Sequence, residues 1–292
     1  MRATRKTKIK YLVSMFFLCS IVIKSQNKKE ITKNDSIIDL IDSLKEITPS
    51  IEVSSDYNSK VTFWGRDFGR KQFGFENNLI YKTGKGFFLS YTGYIWSAMP
   101  KPYAKTDIGL GYERQFTDRF YGSLGYERWF FNTNNSYVKK ALANYIEANV
   151  NYDLGWINIE PSFYYMFGNV NVYQTDINLY SEINLFSFLK SGNVSLKPQW
   201  LTTLASQAFL PIYTDYPAGY VNENKFKLVD FEFSLPVSIK IKNLEFEPNF
   251  HYNIPVKINN EQISSFFYFS IHLGYNFYFS KGKIKKLYRL LN

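Results

Sequence analysis

From residue 51 onward, apolar and polar residues alternate with a period of two, and no other feature of this 292-residue chain restricts its fold as tightly. In 267–279 every odd position is large and apolar or aromatic, while Ser270, His272, Gly274 and Asn276 occupy even ones. Residues 174–185 set Ile177, Leu179, Ile183 and Leu185 against Gln174, Asp176, Asn178, Glu182 and Asn184. Residues 226–241 set Val229, Phe231, Phe233, Leu235, Val237 and Ile239 against Asp230, Glu232, Ser234 and Ser238. Successive side chains of a strand point to opposite faces, so each segment is a strand with one apolar and one polar face.

The same pattern predicts twelve strands: 51–66, 71–82, 85–97, 105–115, 119–131, 140–153, 156–167, 174–187, 193–205, 226–240, 243–253 and 265–279. Their connections are of two kinds. Joins after odd strands are mostly long, as at 100–104, 132–139, 206–225 and 254–264, whereas joins after even strands are tight, as at Thr83-Gly84 and Leu154-Gly155. Tight turns at one end and long loops at the other are the pattern of an antiparallel outer-membrane barrel. An even count returns both chain ends to the periplasmic side.

A soluble β-sandwich would alternate too. Most of these segments, however, reach the 9–11 residues a strand needs to cross a bilayer, against a usual length of 5–6. Phe73, Phe75, Leu79 and Tyr81 fall on one outward face, with aromatics near its ends as in the girdles at membrane interfaces. The composition agrees. Aromatic residues make up 19% of the chain, yet the mean hydropathy is only −0.27, as expected if aromatics face lipid and polar side chains face a wet interior. Fold class is therefore all-β: a 12-stranded antiparallel transmembrane β-barrel over 51–280 in the outer membrane of a Gram-negative cell.

Residues 1–25 read as a cleaved signal peptide, with a basic start (Arg2, Arg5, Lys6, Lys8, Lys10) and a 13-residue apolar run at 11–23, too short for a membrane-spanning helix. Cys19 follows Leu18 rather than the small residue of a lipoprotein site. Cleavage removes six of the 35 basic residues and none of the 25 acids, so the formal +10 falls to +4. The argument for nucleic-acid binding goes with it. It also removes the single cysteine, and with it any disulfide or thiolate metal site. Residues 26–50 form a periplasmic leader or linker, or alternatively a plug of the lumen, with a short amphipathic helix in which Ile37, Ile38, Leu40, Ile41 and Leu44 recur at helical spacing. Residues 281–292 form a basic periplasmic tail.

Placing the apolar face in lipid sends the other face to the lumen. It collects the acids Glu52, Asp56, Glu76, Asp107, Glu113, Glu127, Glu147, Glu160, Asp176, Glu182, Asp230, Glu232, Glu245 and Glu247. The inward bases are chiefly Lys60, Arg66, Lys197 and Lys240. An open lumen of this kind favours cations and neutral solutes over anions. In a closed one the acids bond to one another, to tyrosines and to water. Twelve strands lie between filled eight-stranded barrels and wide porins, so both readings stand. The solute-contacting set expected from the sequence is Glu52, Asp56, Glu76, Asp107, Glu113, Glu147, Glu160, Asp176, Glu182, Lys197, Asp230, Glu232 and Glu247. No catalytic residue, metal site or cofactor is expected; the partners are membrane lipid, a barrel-assembly machinery and a small polar solute.

Three further patterns bear on the barrel. The last strand carries a terminal signature similar to that of other barrel proteins, in His272, Gly274, Phe277 and Phe279, which an assembly machine would read. A charged residue precedes proline in Glu160-Pro161, Lys197-Pro198 and Glu247-Pro248, each at the same stage of its strand, with the proline outward. A lipid-face enzyme would need a serine and a histidine in the lipid. The two histidines, His251 and His272, both fall on the lumen face, and His251 is expected opposite Phe267, so the two do not pair. The 206–225 loop carries Phe209, Leu210, Tyr213, Tyr216 and Tyr220, enough aromatic surface for a partner or a lid.

The opening strand, Ser55-Asp56-Tyr57-Asn58-Ser59-Lys60 followed by Phe63-Trp64-Gly65-Arg66, resembles the start of the TorF-type outer-membrane barrel family. That family begins D-Y-x-S-R, then an aromatic and Arg-Gly. Here Lys60 replaces the arginine and the Gly65-Arg66 order is reversed. The likeness continues loosely through Leu110-Gly111-Tyr112-Glu113 and Leu124-Gly125-Tyr126-Glu127. It implies export and a barrel, and brings no substrate or catalytic residue with it.

Overall fold

The computed structural model describes residues 48–62, 65–66, 72–97, 102–132, 143–169, 171–188, 191–206, 225–257 and 262–279. The signal peptide, nearly all of the leader with its helix, most of the 206–225 loop and the basic tail lie outside the described residues. Fourteen strand segments follow one another: β1 (Ser50–Asn58), β2 (Gly74–Lys82), β3 (Phe87–Trp96), β4 (Tyr103–Thr117), β5 (Phe120–Phe131), β6 (Asn144–Asp153), β7 (Asn158–Phe167), β8 (Val172–Tyr180), β9 (Ile183–Phe188), β10 (Gly192–Leu196), β11 (Gln199–Ser206), β12 (Phe226–Ile241), β13 (Leu244–Pro255) and β14 (Phe266–Tyr278).

These make twelve staves. β8 and β9 are halves of one stave interrupted at 181–182, and β10 and β11 are halves of another interrupted at 197–198. β12 pairs with both β10 and β11, while β8 pairs with β11 and β9 with β10. Every pairing is antiparallel, and β1 closes the wall on β14 from Ser50↔Tyr278 to Asn58↔Ser270. A sheet that closes on itself has no free edge, so the sandwich is excluded.

The alternation gives the faces expected of it. The outer middle band is aliphatic and bare, with Leu110 58% and Leu124 58% exposed. Around it run two aromatic girdles. Near the long joins Tyr57 packs on Phe73, Phe75 and Phe269, and Tyr252 lies 4.4 Å from Phe267. Near the short turns Tyr275 lies 4.5 Å from Phe277, and Tyr81 meets Phe279. An outer surface on which Phe250 is 66% and Phe267 74% exposed is stable only in hydrocarbon. The chain is an outer-membrane β-barrel.

Two expectations change. The first strand was expected to run to residue 66, but β1 ends at Asn58; Ser59 and Val61 still donate to the carbonyls of Phe269 and Gln72 beside them, whereas Arg66 bonds to Val229 and Val256 near the long-join ends of β12 and β13. The repeated prolines also fare differently from one another. Pro161 lies within β7 and Pro248 within β13, whereas Pro198 is buried at the break between β10 and β11. Proline removes a ladder donor, and there the ladder stops.

Candidate functional site: the interior of the barrel

The strand face opposite the girdles is the one on which the acids were expected. At the short-turn end Glu113 pairs with Lys82 at 3.1 Å and accepts from the Tyr121 hydroxyl at 3.0 Å. Glu245 pairs with Lys240 at 3.3 Å and accepts from Ser238. Glu182 accepts from Ser195, and Glu52 faces Ile80 and Asn276 across its two ladders. Lys197 lies in the break of its stave, its N–H donating to the Pro236 carbonyl.

In the middle, Glu160 accepts from Asn149 at 2.9 Å, and Glu147 faces Gly125 and Tyr164. Asp56 holds His272 at 2.7 Å across the closing seam and accepts from Asn78. His272 stands opposite Glu247, and its ring lies over Gly274, where a side chain would collide with Nε2. The glycine of the terminal signature thus makes room for the imidazole that joins the last strand to the first.

At the long-join end the packing is tighter. Lys105 pairs with Asp107 at 2.8 Å, its ammonium 4.0 Å from the Trp129 ring centre and 4.2 Å from that of Tyr94. Asp176 accepts from Gln174, and Asp230 from Asn253. Glu232 accepts from the Tyr268 hydroxyl at 2.7 Å and meets His251 Nδ1 at 2.8 Å. His251 Nε2 lies 2.9 Å from Ser270 Oγ, and the imidazole stacks on Tyr268 with ring centres 4.2 Å apart. His251 faces Tyr268, one residue from the Phe267 expected.

The segment that leaves β1 folds over this end. Arg66, only 3% exposed, donates to the carbonyls of Val229 and Val256. Gly65 has a φ of +71°, and a side chain there would lie 2.6 Å from Asn253 Oδ1 and 2.8 Å from Asp230 Cβ. Only glycine allows so close an approach in that conformation. Beneath the segment lies a cavity of about 260 Å³ lined by Asn58, Lys60, Glu76, Trp96, Lys105 and Tyr268 among others.

Sequence reading missed two kinds of inward residue. Lys82 and Lys105 join the inward bases, having been passed over because each stands beside aromatic or apolar neighbours. Aromatic side chains are also abundant inside. Phe88 lies over the bare backbone of Gly111, and Trp129, Tyr145 and Tyr164 succeed one another across β5, β6 and β7 at 5.3 and 5.5 Å. Their parity, shared with the acids of the same strands, was the signal available.

No family model matches the chain, and no curated protein does, so the TorF-type resemblance rests on the residues that suggested it. Among solved structures the chain is similar to a NanC porin at 14% identity and a TM-score of 0.44, covering 78% of this chain and 98% of that one. It is similar to a KdgM porin at 11% identity and a TM-score of 0.44, covering 78% and 99%. It is similar also to LpxR from Salmonella typhimurium at 10% identity and a TM-score of 0.44, covering 77% and 99%. Superpositions this loose say nothing of what the chain does. The barrel is established by its own closed ladder.

Proposed function

We propose that the barrel is a channel for small polar solutes, cationic or neutral, through an acid-lined lumen. The observation that carries this reading is the imbalance of charge on the inward face. The fourteen acids predicted to face inward stand against Lys60, Arg66, Lys82, Lys105, Lys197 and Lys240. Lys82, Lys105 and Lys240 each pair with one acid, Glu113, Asp107 and Glu245, and the acids outnumber the bases by more than two to one. Among the described residues, Oδ1 of Asp107, Asp176 and Asp230 accepts no hydrogen bond from the protein. An interior with excess negative charge, walled by low-dielectric lipid, concentrates cations and repels anions.

The test is recording from the purified barrel in a planar bilayer. The channel reading expects ion conductance that prefers cations, and weaker preference when Glu160 and Glu247 are changed to glutamine. Silence at every salt concentration would rule it out.

A further inference from the structure

Three inward side chains on adjacent staves are arranged for a chemistry that passage of solutes does not use. Ser270 on β14, His251 on β13 and Glu232 on β12 form a chain of two hydrogen bonds, 2.9 Å from Oγ to Nε2 and 2.8 Å from Nδ1 to Oε1. The carboxylate decides the tautomer. An ionised Glu232 only accepts, so the imidazole carries its proton on Nδ1 and turns the Nε2 lone pair to the serine hydroxyl. That is the order nucleophile, base, orienting acid, recognised by geometry and role rather than by position in sequence.

The surroundings hold this arrangement still. Tyr268 covers one face of His251 and donates its hydroxyl to the other oxygen of Glu232. A carboxylate so tethered keeps the imidazole from rotating away. The row through Ser270 supplies amide groups on both sides, since Asn249 and Asn58 stand directly across the two ladders from it. Asn249 spends its side-chain oxygen on the Leu235 N–H, which leaves its NH₂ group to donate elsewhere. The Asn58 side chain has no hydrogen-bond partner among the described residues, and with Tyr268 it lines the cavity of about 260 Å³. Asn58, across the ladder from Ser270, and Tyr268, stacked on His251, are thus the points at which the triad's neighbours meet that cavity.

We infer that Ser270, His251 and Glu232 form an ester-hydrolysing site inside the barrel, acting on small uncharged carboxylic esters that enter the lumen. Oγ of Ser270 attacks the carbonyl carbon as Nε2 of His251 takes its proton. The resulting oxyanion is met by the Asn58 and Asn249 amides. The C–O bond to the alcohol breaks, and the alcohol leaves with the proton from His251. Water, deprotonated by the same nitrogen, then releases the acid and restores the serine. Glu232 is a positioning residue that stabilises the imidazolium. The serine faces inward, so acyl chains of the surrounding bilayer do not reach it, and the site is distinct from a lipid-face hydrolase.

The experiment uses the full barrel in detergent micelles, with folding verified by its shift on an unheated gel. A fluorophosphonate probe is expected to form one covalent adduct, on the peptide carrying Ser270, and p-nitrophenyl acetate is expected to turn over above the micelle background. S270A abolishes both, and H251Q lowers the hydrolysis rate by about 10²- to 10⁴-fold. E232Q lowers it while E232D restores part, a split that a merely structural carboxylate would not give. A folded barrel with no adduct on Ser270, or hydrolysis unchanged in S270A, overturns the assignment. Ion conductance does not enter either readout, so failure here leaves the channel reading standing, and a hydrolytic barrel that passes no ions contradicts the channel alone.

Discussion

The two ends of the barrel interior hold the same kind of ion pair in different surroundings. Lys105 and Asp107 lie near the long joins with side chains 11% and 3% exposed, pressed between Trp129 and Tyr94. Near the short turns the side chains of Lys82 and Glu113 are 35% and 25% exposed, and those of Lys240 and Glu245 42% and 28%. An ion pair in water is worth little because solvent already stabilises both charges, whereas a buried pair leaves a costly orphan when one partner is lost. Loss of one partner therefore costs more at the long-join end than at the short-turn end.

The largest effect expected from that contrast is on stability. K105M strands the Asp107 carboxylate and should cost about 3–5 kcal/mol in denaturant unfolding of the micellar barrel. K82M should cost less than about 1 kcal/mol, and that small loss should vanish in 1 M salt while the Lys105 effect persists. Equal losses would mean that the long-join end is as wet as the other.

Next in size is the segment that crosses that end. Arg66 donates to two backbone carbonyls, and charge-assisted bonds of this kind contribute about 1.5–3 kcal/mol each. R66A should lower stability by a few kcal/mol and raise single-channel conductance by freeing the mouth; conductance unchanged would show that the segment does not narrow the pore.

The smallest effect belongs to the short-turn end. Lys242 is the one described residue other than glycine with a positive φ, at 56° in the turn between β12 and β13. Asparagine tolerates that conformation better. K242N should therefore raise the unfolding midpoint by an amount equivalent to about 0.5 kcal/mol, since the full left-handed penalty is only about 1–2 kcal/mol. A drop would place the turn's stability in the lysine side chain instead.

The same contrast separates what the sequence made legible from what it did not. Strand faces are local: the alternation of Asp230 and Glu232 with Phe231 and Phe233 fixes which side each takes, and the twelve staves follow. The closing of β1 on β14 follows from strand count and turn lengths. Arg66 was placed on a strand, because nothing in Gly65-Arg66 announces that the strand ends eight residues earlier, at Asn58. The inward rings of Trp129 and Tyr145 were not singled out, since composition does not distinguish a ring in lipid from one over an ammonium. The contact from His251 to Ser270 depends on register, and a shift of one residue decides whether the imidazole faces Phe267 or Tyr268.

The account as a whole turns on whether the charged interior is a passage. Its most direct test is the zero-current potential of the barrel in a planar bilayer under a tenfold KCl gradient. The account predicts a potential displaced toward the equilibrium value for K⁺, and a smaller displacement when Glu160 and Glu247 are both glutamine. A potential displaced toward the Cl⁻ value, or a barrel that carries no current, would contradict it.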